Sequence, residues 1–324
     1  MSKILHLDQQ PALTPSAKEK IAGFENVILP DDGPNEVILS EIKDAKYVIS
    51  GARFLGEEHF QLASQLKAVV LPSAGYDYID IEAATRHGVY VINSPGANSN
   101  AVAEMTIGLM LAVARNIPQS YTHVRGGEWV NETIRNEGLG YELTGKTLGL
   151  IGLGHIGTRV AQIACGFSMK ILCCTRRPSP EREKECGVQF TPLDELIKQS
   201  DFVVICSALN PETLGLIGAE QIDLMRKNSF LINTARGKIV DYDALYEALR
   251  VRKIAGAGID VLYTEPPGPT HPFFNLDNVI VTPHLGSRTK DANKRVTNMV
   301  ADEIVRMEAG ENPKNPVNEI VSEK

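Results

Sequence analysis

The chain has 324 residues, 43% of them hydrophobic and 23% charged, with a formal net charge of −7. That is the make-up of an ordinary globular protein long enough for two domains. The acidic balance, without a basic block or basic–aromatic stripe, excludes a nucleic-acid binder, and no apolar run approaches the ~20 residues that span a bilayer.

Residues 1–8 read as a first strand and not as a signal peptide. The cysteines (Cys165, Cys173, Cys174, Cys186 and Cys206) are odd in number, stand mostly in apolar contexts and include no C-x-x-C pair. We expect reduced, buried thiols in a cytoplasmic protein, and no metal site.

Residues 1–95 alternate strands and helices, the rhythm of a parallel sheet. Strands are predicted over 3–8, 26–29, 47–50, 68–71 and 89–92, with helices between them, among them 16–23 after Thr14-Pro15 and 81–87 after Asp80. The loop 72–78 follows a strand end, where α/β sheets take ligands.

Asn98-Ser99-Asn100 can cap a long helix, 101–115, that is nearly all apolar and therefore expected to be buried, between domains. Glu104 is the odd residue in it, either a partnered structural carboxylate or a site-facing group. The polar stretch 117–143, which holds the only tryptophan, Trp129, reads as an excursion of the interface-arm kind. It predicts a homodimer formed through the 98–143 region.

The apolar run 148–151 ends in Gly152-Leu153-Gly154-His155-Ile156-Gly157, and a helical pattern follows over 158–167. In a strand–turn–helix the first glycine makes the tight turn, the second lets backbone approach a pyrophosphate, and the third lets helix pack on strand. The helix N-terminus then offers N–H groups and partial positive charge to the phosphates. Glycines also punctuate ordinary turns, but here the strand before and the helix after supply the confirming context. Further strands are predicted at 170–174, 202–206, 230–233, 257–261 and 279–281, with helices at 194–199, 221–225 and 242–250. A last helix, 290–308, has no place in that unit and is expected to pack back on the first. The predicted domains are thus 1–97 plus 289–324, discontinuous, and 98–288, a nucleotide-binding unit.

The strand 170–174 ends in Thr175-Arg176-Arg177. NAD-binding folds place an Asp or Glu there to hold the ribose 2′-OH. A carboxylate would repel a 2′-phosphate, whereas Thr-Arg-Arg offers it charge-assisted hydrogen bonds. We therefore expect NADP(H) to be preferred, with NAD(H) possible; the bland reading makes both arginines solvated loop charges.

Three segments at strand ends carry chemistry: Asn233-Thr234-Ala235-Arg236-Gly237, Asp260 through Glu265-Pro266, and Thr282-Pro283-His284-Leu285-Gly286-Ser287. Singly they read as a surface arginine, a solvated acid and a capped histidine. Together they set an arginine, a carboxylate and a histidine on the edge that holds the dinucleotide loop.

With these motifs, in this order and spacing, and with Asn93-Ser94-Pro95-Gly96-Ala97-Asn98 and Val102-Ala103-Glu104, nearly the whole chain resembles the D-isomer-specific 2-hydroxyacid dehydrogenases. In pattern it is most similar to their glyoxylate/hydroxypyruvate reductases. The resemblance implies an α/β protein of two doubly wound domains with a cleft between them, a flavodoxin-like substrate domain and a Rossmann NAD(P)-binding domain. It implies hydride transfer between NADPH and a small 2-keto acid, giving the D-2-hydroxy acid. Arg236 would bind the substrate carboxylate and His284 would act as acid–base. Glu265 would favour the His284 imidazolium. Backbone N–H groups of Ala74 and Gly75 would also bind the carboxylate, and Asp260 would hold the nicotinamide carboxamide. The full cofactor-facing set expected is Thr106, Gly152, Gly154, His155, Ile156, Gly157, Thr175, Arg176, Arg177, Ser207, Ala235 and Asp260.

The chain departs from the commoner family pattern at Cys206-Ser207-Ala208-Leu209, where many members show His-x-Pro-Leu. That loss accompanies Thr-Arg-type loops in NADP-using reductases. Arg288 and Arg53 are each either a second anion contact or a solvent-facing charge. The end at Lys324 leads us to expect no regulatory domain. Alternatives are an NAD-linked D-2-hydroxyacid or 3-phosphoglycerate dehydrogenase and, in another class, a nucleotide-sensing binding protein resembling the C-terminal-binding-protein corepressors.

Overall fold

The computed structural model describes residues 1–8, 11–129 and 139–320. The chain divides into two compact units, Met1–Asn98 with Arg288–Lys324, and Ser99–Ser287.

The first unit begins β1 (Lys3–His6), α1 (Pro15–Lys20), β2 (Glu25–Ile28), α2 (Asn35–Glu41), β3 (Tyr47–Ile49), α3 (Glu57–Leu62), β4 (Ala68–Val70), α4 (Ile81–Arg86) and β5 (Tyr90–Ile92). The strands form one parallel sheet in the order β2-β1-β3-β4-β5, the flavodoxin-like winding. Every residue of β1, β3 and β4 is buried, because helices cover both faces of a parallel sheet. Edge strand β2, Glu-Asn-Val-Ile, is mostly exposed, and its polar residues suit an edge. Asp80 opens α4 by accepting a hydrogen bond from Ala83 N–H.

The second unit runs α5 (Ser99–Ala114), α6 (Ile117–Arg125), β6 (Thr147–Ile151), α7 (His155–Gly166), β7 (Lys170–Cys174), α8 (Pro180–Cys186), β8 (Gln189–Phe190), α9 (Leu193–Gln199), β9 (Phe202–Ile205), α10 (Ala219–Leu224), β10 (Phe230–Asn233), α11 (Tyr242–Arg250), β11 (Gly256–Ile259) and β12 (Val279–Val281). Its seven-stranded parallel sheet has the order β12-β11-β10-β9-β6-β7-β8, the Rossmann winding with its switch point between β6 and β9. Helix α5 is buried within this unit against α7, β10 and β11. It comes close because β11 carries Gly256 and Gly258, whose missing side chains would meet Val113 and Leu109 at about 3.0 Å.

Several expectations change. The stretch after residue 116, for which no helix was predicted, opens with α6, started by Ile117-Pro118, proline being suited to the first helical turn. Residues 130–138 of the expected interface arm lie outside the described residues. The sequence patterns missed α8 and β8. Cys165 is exposed, not buried, and Glu104 is on the exposed face of α5.

Helix α12 (Lys290–Glu308) belongs to the first unit. Thr289 caps it by accepting from Ala292 N–H. Its Val300, Ala301, Ile304 and Met307 pack with Ile4, Ala17, Tyr47 and Val70. The chain then returns along the β5 edge, with Val317 N–H donating to the Val91 carbonyl at 2.7 Å. Asn318 accepts from Val91 N–H and donates to Val89 O and Thr85 Oγ1. Among the described residues no single helix is long and apolar enough to cross a membrane.

Candidate active site

The glycine loop joins β6 to α7 at the switch point of the second sheet. Gly152 has φ +98°, a conformation L side chains rarely adopt, and a Cβ there would lie 2.7 Å from Ser207 Oγ. A Cβ at Gly157 would stand 2.2 Å from the Gly152 carbonyl oxygen, so α7 reaches the strand only without one. A Cβ at Gly154 would meet nothing within 4 Å. Gly154 is the N-cap of α7 and brings no side-chain cap. The first N–H groups of α7, at His155, Ile156 and Gly157, therefore face an open approach, the cradle a pyrophosphate requires. The loop is braced by Gly152 N–H on Cys174 O, Ser207 Oγ on Ile151 O and the Arg182 guanidinium on Leu153 O. Cys206 stands beside this turn, and burial pushes its thiol up to about 12.

At the end of β7, Thr175 is half-buried while Arg176 and Arg177 are exposed. Arg176 lies 3.8 Å from Glu212, both side chains well exposed; such a pair is weak and leaves the guanidinium able to turn to a phosphate. The residues present thus fit a dinucleotide with an added phosphate.

The chemistry-bearing residues lie at the carboxyl ends of β10, β11 and β12, on the same sheet edge as the glycine loop. The Arg236 Nη1 donates to the Ala235 carbonyl at 2.8 Å. Gly237 packs directly on the next loop: a Cβ there would lie 2.3 Å from the Leu262 carbonyl carbon and oxygen. Leu262 N–H donates to Glu265 Oε1 at 2.7 Å, and Glu265 Oε2 is 2.6 Å from His284 Nδ1. Burial alone would push the Glu265 carboxyl up. The hydrogen bond and charge of His284, the Leu262 N–H and the Arg236 charge outweigh it and hold the carboxyl below the usual carboxylate range. With Glu265 ionised, the Nδ1–H donates, which leaves Nε2 as the nitrogen for proton exchange. The His284 side chain is 46% exposed. An imidazole so backed can hold a proton and give it up to an adjacent oxygen.

His284 itself has φ +51°, unusual for a non-glycine residue. Asp260 holds it there. The Asp260 carbonyl accepts from His284 N–H, Oδ1 accepts from Thr282 Oγ1 and Leu285 N–H, and Oδ2 accepts from Gly286 N–H.

Asp260, expected to hold a nicotinamide carboxamide, is 1% exposed, and its carboxylate accepts from three donors of the histidine loop. Thr106, expected to face the cofactor, is 0% exposed, its hydroxyl donating to Val102 O and lying 2.7 Å from Thr234 Oγ1. Ser207 and Ala235 are half-buried near the same edge. Ala74 and Gly75 lie in the first unit, their carbonyls tied to Asn93 Nδ2 and Ser73 Oγ. Arg53 donates to the Asp31 and Gly33 carbonyls and so acts as a loop anchor. Arg288 is exposed. Reasoning from sequence missed Arg182, whose signal is Ser179-Pro180, a cap that opens α8 and sets Arg182 in its first turn. It also missed Asn233, which accepts from Ala235 N–H and donates to Arg236 O. A cavity of about 540 Å³ in this unit lies at the opposite, amino ends of β10–β12, beside Phe230, Ala255 and Asn278, away from these groups.

The sequence model of the D-isomer specific 2-hydroxyacid dehydrogenase NAD binding domain matches residues 107–286. A glyoxylate reductase of Pyrococcus furiosus is 41% identical over 292 residues, 89% of this chain and 87% of that one. The chain belongs to the D-isomer-specific 2-hydroxyacid dehydrogenases. A D-3-phosphoglycerate dehydrogenase of Methanocaldococcus jannaschii is 43% identical over 286 residues, 87% of this chain and 53% of the relative. Among solved structures, the NADPH-dependent glyoxylate/hydroxypyruvate reductase of Sinorhizobium meliloti in complex with NADP and malonate superposes with a TM-score of 0.85 at 27% identity, covering 98% of this chain and 96% of that one. As a 2-hydroxyacid dehydrogenase the protein is an NAD(P)-dependent oxidoreductase of the two-sheet, Rossmann-type fold.

Proposed function

We propose that this dehydrogenase uses NADPH to reduce a small 2-keto acid, of the glyoxylate or hydroxypyruvate type, to the D-2-hydroxy acid. The observation that carries the cofactor choice is the end of β7, where Thr175-Arg176-Arg177 stands in place of a carboxylate, with both arginines exposed. Relatives named as glyoxylate reductases, and a structural neighbour described with NADP, support the substrate and the cofactor.

In this reading Arg236 binds the keto acid's carboxylate and polarises the neighbouring carbonyl. Protonated His284 gives its Nε2 proton to the carbonyl oxygen, and Glu265 stabilises the imidazolium until it does. The reduced nicotinamide, when bound, supplies the hydride that the carbonyl carbon accepts. His284 is left neutral and regains its proton from solvent. Gly152, Gly154 and the N-terminus of α7 hold the pyrophosphate, and Arg176 and Arg177 hold the 2′-phosphate.

The test is kcat/KM for NADPH and for NADH with glyoxylate, hydroxypyruvate, pyruvate and phenylpyruvate. A preference for NADH, or no turnover of any 2-keto acid, overturns the proposal. The identity with the Methanocaldococcus enzyme favours a second reading, NAD-linked oxidation of 3-phosphoglycerate; faster turnover in that assay than in glyoxylate reduction would establish it.

Homodimer formation is supported by α6. None of its residues is buried, and Ile117, Tyr121 and Val124 form an exposed apolar stripe at helical spacing, with exposed Trp129 and Leu139 nearby in sequence. Sedimentation of the Tyr121→Glu variant should show monomer; an unchanged sedimentation coefficient places the interface elsewhere. The free cysteines support a reducing compartment, the cytoplasm.

A further inference from the structure

We propose that the Tyr242 hydroxyl positions the reaction machinery, locking the loop that carries Arg236 to the segment that carries Glu265. The inference rests on the roles proposed above for Arg236, Glu265 and His284. Tyr242 is the first residue of α11 and is 9% exposed. Its ring packs on Phe273 at 5.3 Å and on Tyr263 at 6.4 Å between centroids. Phenylalanine would satisfy that packing. A hydroxyl buried there costs free energy unless it is bonded.

It is bonded on both sides. The hydroxyl donates to the Val261 carbonyl and accepts from Asn233 Nδ2 at 3.4 Å. Asn233 is fully buried, and the same amide holds Arg236 O at 2.9 Å and Ala235 N–H at 3.0 Å. On the other side Val261 lies between Asp260, which holds the His284 loop, and Leu262, whose N–H holds Glu265. One continuous set of bonds thus runs from the Arg236 backbone through Asn233, Tyr242 and Val261 to the acid pair. Burial, and the Glu265 charge against the Asn233 bond, push the phenol up, so it remains a donor. Tyr242 touches no reacting atom in this account. It sets the spacing between the group that grips the carboxylate and the group that delivers the proton, a spacing to which rate is steeply sensitive.

The experiment compares wild type with Tyr242→Phe, Phe273→Leu and His284→Ala, all assayed well below their Tm. Tyr242→Phe should lower kcat/KM for the keto acid about tenfold, the scale of one hydrogen bond of roughly 1.4 kcal/mol. It should weaken oxamate, a non-reducible mimic of a 2-keto acid, by a similar factor in calorimetry, while the NADPH Kd from fluorescence stays within twofold. Phe273→Leu disturbs the ring packing and keeps the hydroxyl; it should lower Tm and leave kcat/KM within twofold. Equal losses in Tyr242→Phe and Phe273→Leu, or Tyr242→Phe activity and oxamate binding within twofold of wild type, overturn the inference. His284→Ala separates the two levels. An inactive His284→Ala beside a fully active Tyr242→Phe refutes Tyr242 alone; an active His284→Ala refutes the underlying assignment and this inference with it.

Discussion

Gly237→Ala tests the geometry with one methyl group. Gly237 does not have a left-handed φ, so alanine suits the backbone, and what opposes it is space. The added Cβ would lie 2.3 Å from the carbonyl carbon and oxygen of Leu262 and 2.7 Å from Tyr263 N, all of them backbone atoms that no rotamer change can clear. Restoring ordinary contact, 3.4 Å or more, requires the two loops to separate by about 1.1 Å. One of those loops carries Arg236 and the other begins at the N–H that holds Glu265. A misplacement of about 1 Å costs on the order of 10²-fold in rate, and overpacking costs about 1–3 kcal/mol of stability. We therefore expect kcat/KM for the keto acid to fall about 100-fold and Tm to fall by roughly 2–12 °C. The NADPH Kd should hold, because the glycine loop is untouched. Steady-state kinetics, thermal unfolding and fluorescence titration measure the three quantities. A variant that keeps kcat/KM within threefold would show that the spacing of these loops does not govern the reaction.

Glu265→Gln should move the upper pH limit of carbonyl reduction downward, since an imidazolium without its carboxylate gives up its proton more readily; an unchanged kcat/KM–pH profile argues against the pairing. The same residue predicts an acid limb of stability. Its carboxyl is held low in the folded state, so its contribution is present above the ordinary glutamate value of 4.5 and is lost as pH falls through the folded value. Tm should therefore drop on acidification more steeply in wild type than in Glu265→Gln, and parallel curves would refute this. Thr175→Asp, together with Arg176→Ser, should reverse the cofactor preference by about tenfold or more, through repulsion of the 2′-phosphate and loss of its partner; an unaltered NADPH/NADH ratio would place the phosphate elsewhere. Asn318→Ala removes three bonds along the β5 edge, one of them leaving the Val91 N–H unpaired. It should cost about 2–3 kcal/mol in denaturant unfolding, and a loss below 0.5 kcal/mol would show that the edge repairs itself.

Elements with strong apolar runs and clear stops were legible in the sequence. Strands β7, β10 and β12 and helices α11 and α12 fall at their predicted limits, because each couples a buried face to a cap, a glycine or a charged turn. The elements missed have little buried face to betray them. Helix α6 buries none of its residues, and α8, Pro-Glu-Arg-Glu-Lys-Glu-Cys, buries only Cys186; without a stripe the hydrophobic period carries no signal. The grouping of arginine, glutamate and histidine was legible from residue type at strand ends. The direction in which a side chain points was not. The partner of Thr106 is Thr234, 128 residues away, and nothing local tells an inward threonine from an outward one. The resemblance assigned Asp260 to a ligand; that three loop donors, two of them backbone N–H groups, also bond it is legible only in the fold.

The discontinuity of the first unit imposes an order on the protein's birth. Residues 1–98 leave the ribosome without α12, and so without Val300, Ala301, Ile304 and Met307 for the core they share with Ile4 and Tyr47. They also lack the segment that pairs with β5, which leaves a sheet edge open to other chains. At about 5–20 residues per second, translating the intervening Ser99–Ser287 takes roughly 10–40 s. During that interval the nucleotide-binding unit, contiguous in sequence, can fold by itself, while the nascent N-terminal segment waits with an unfinished core. Overproduction that crowds ribosomes onto one message would therefore endanger the first unit before the second.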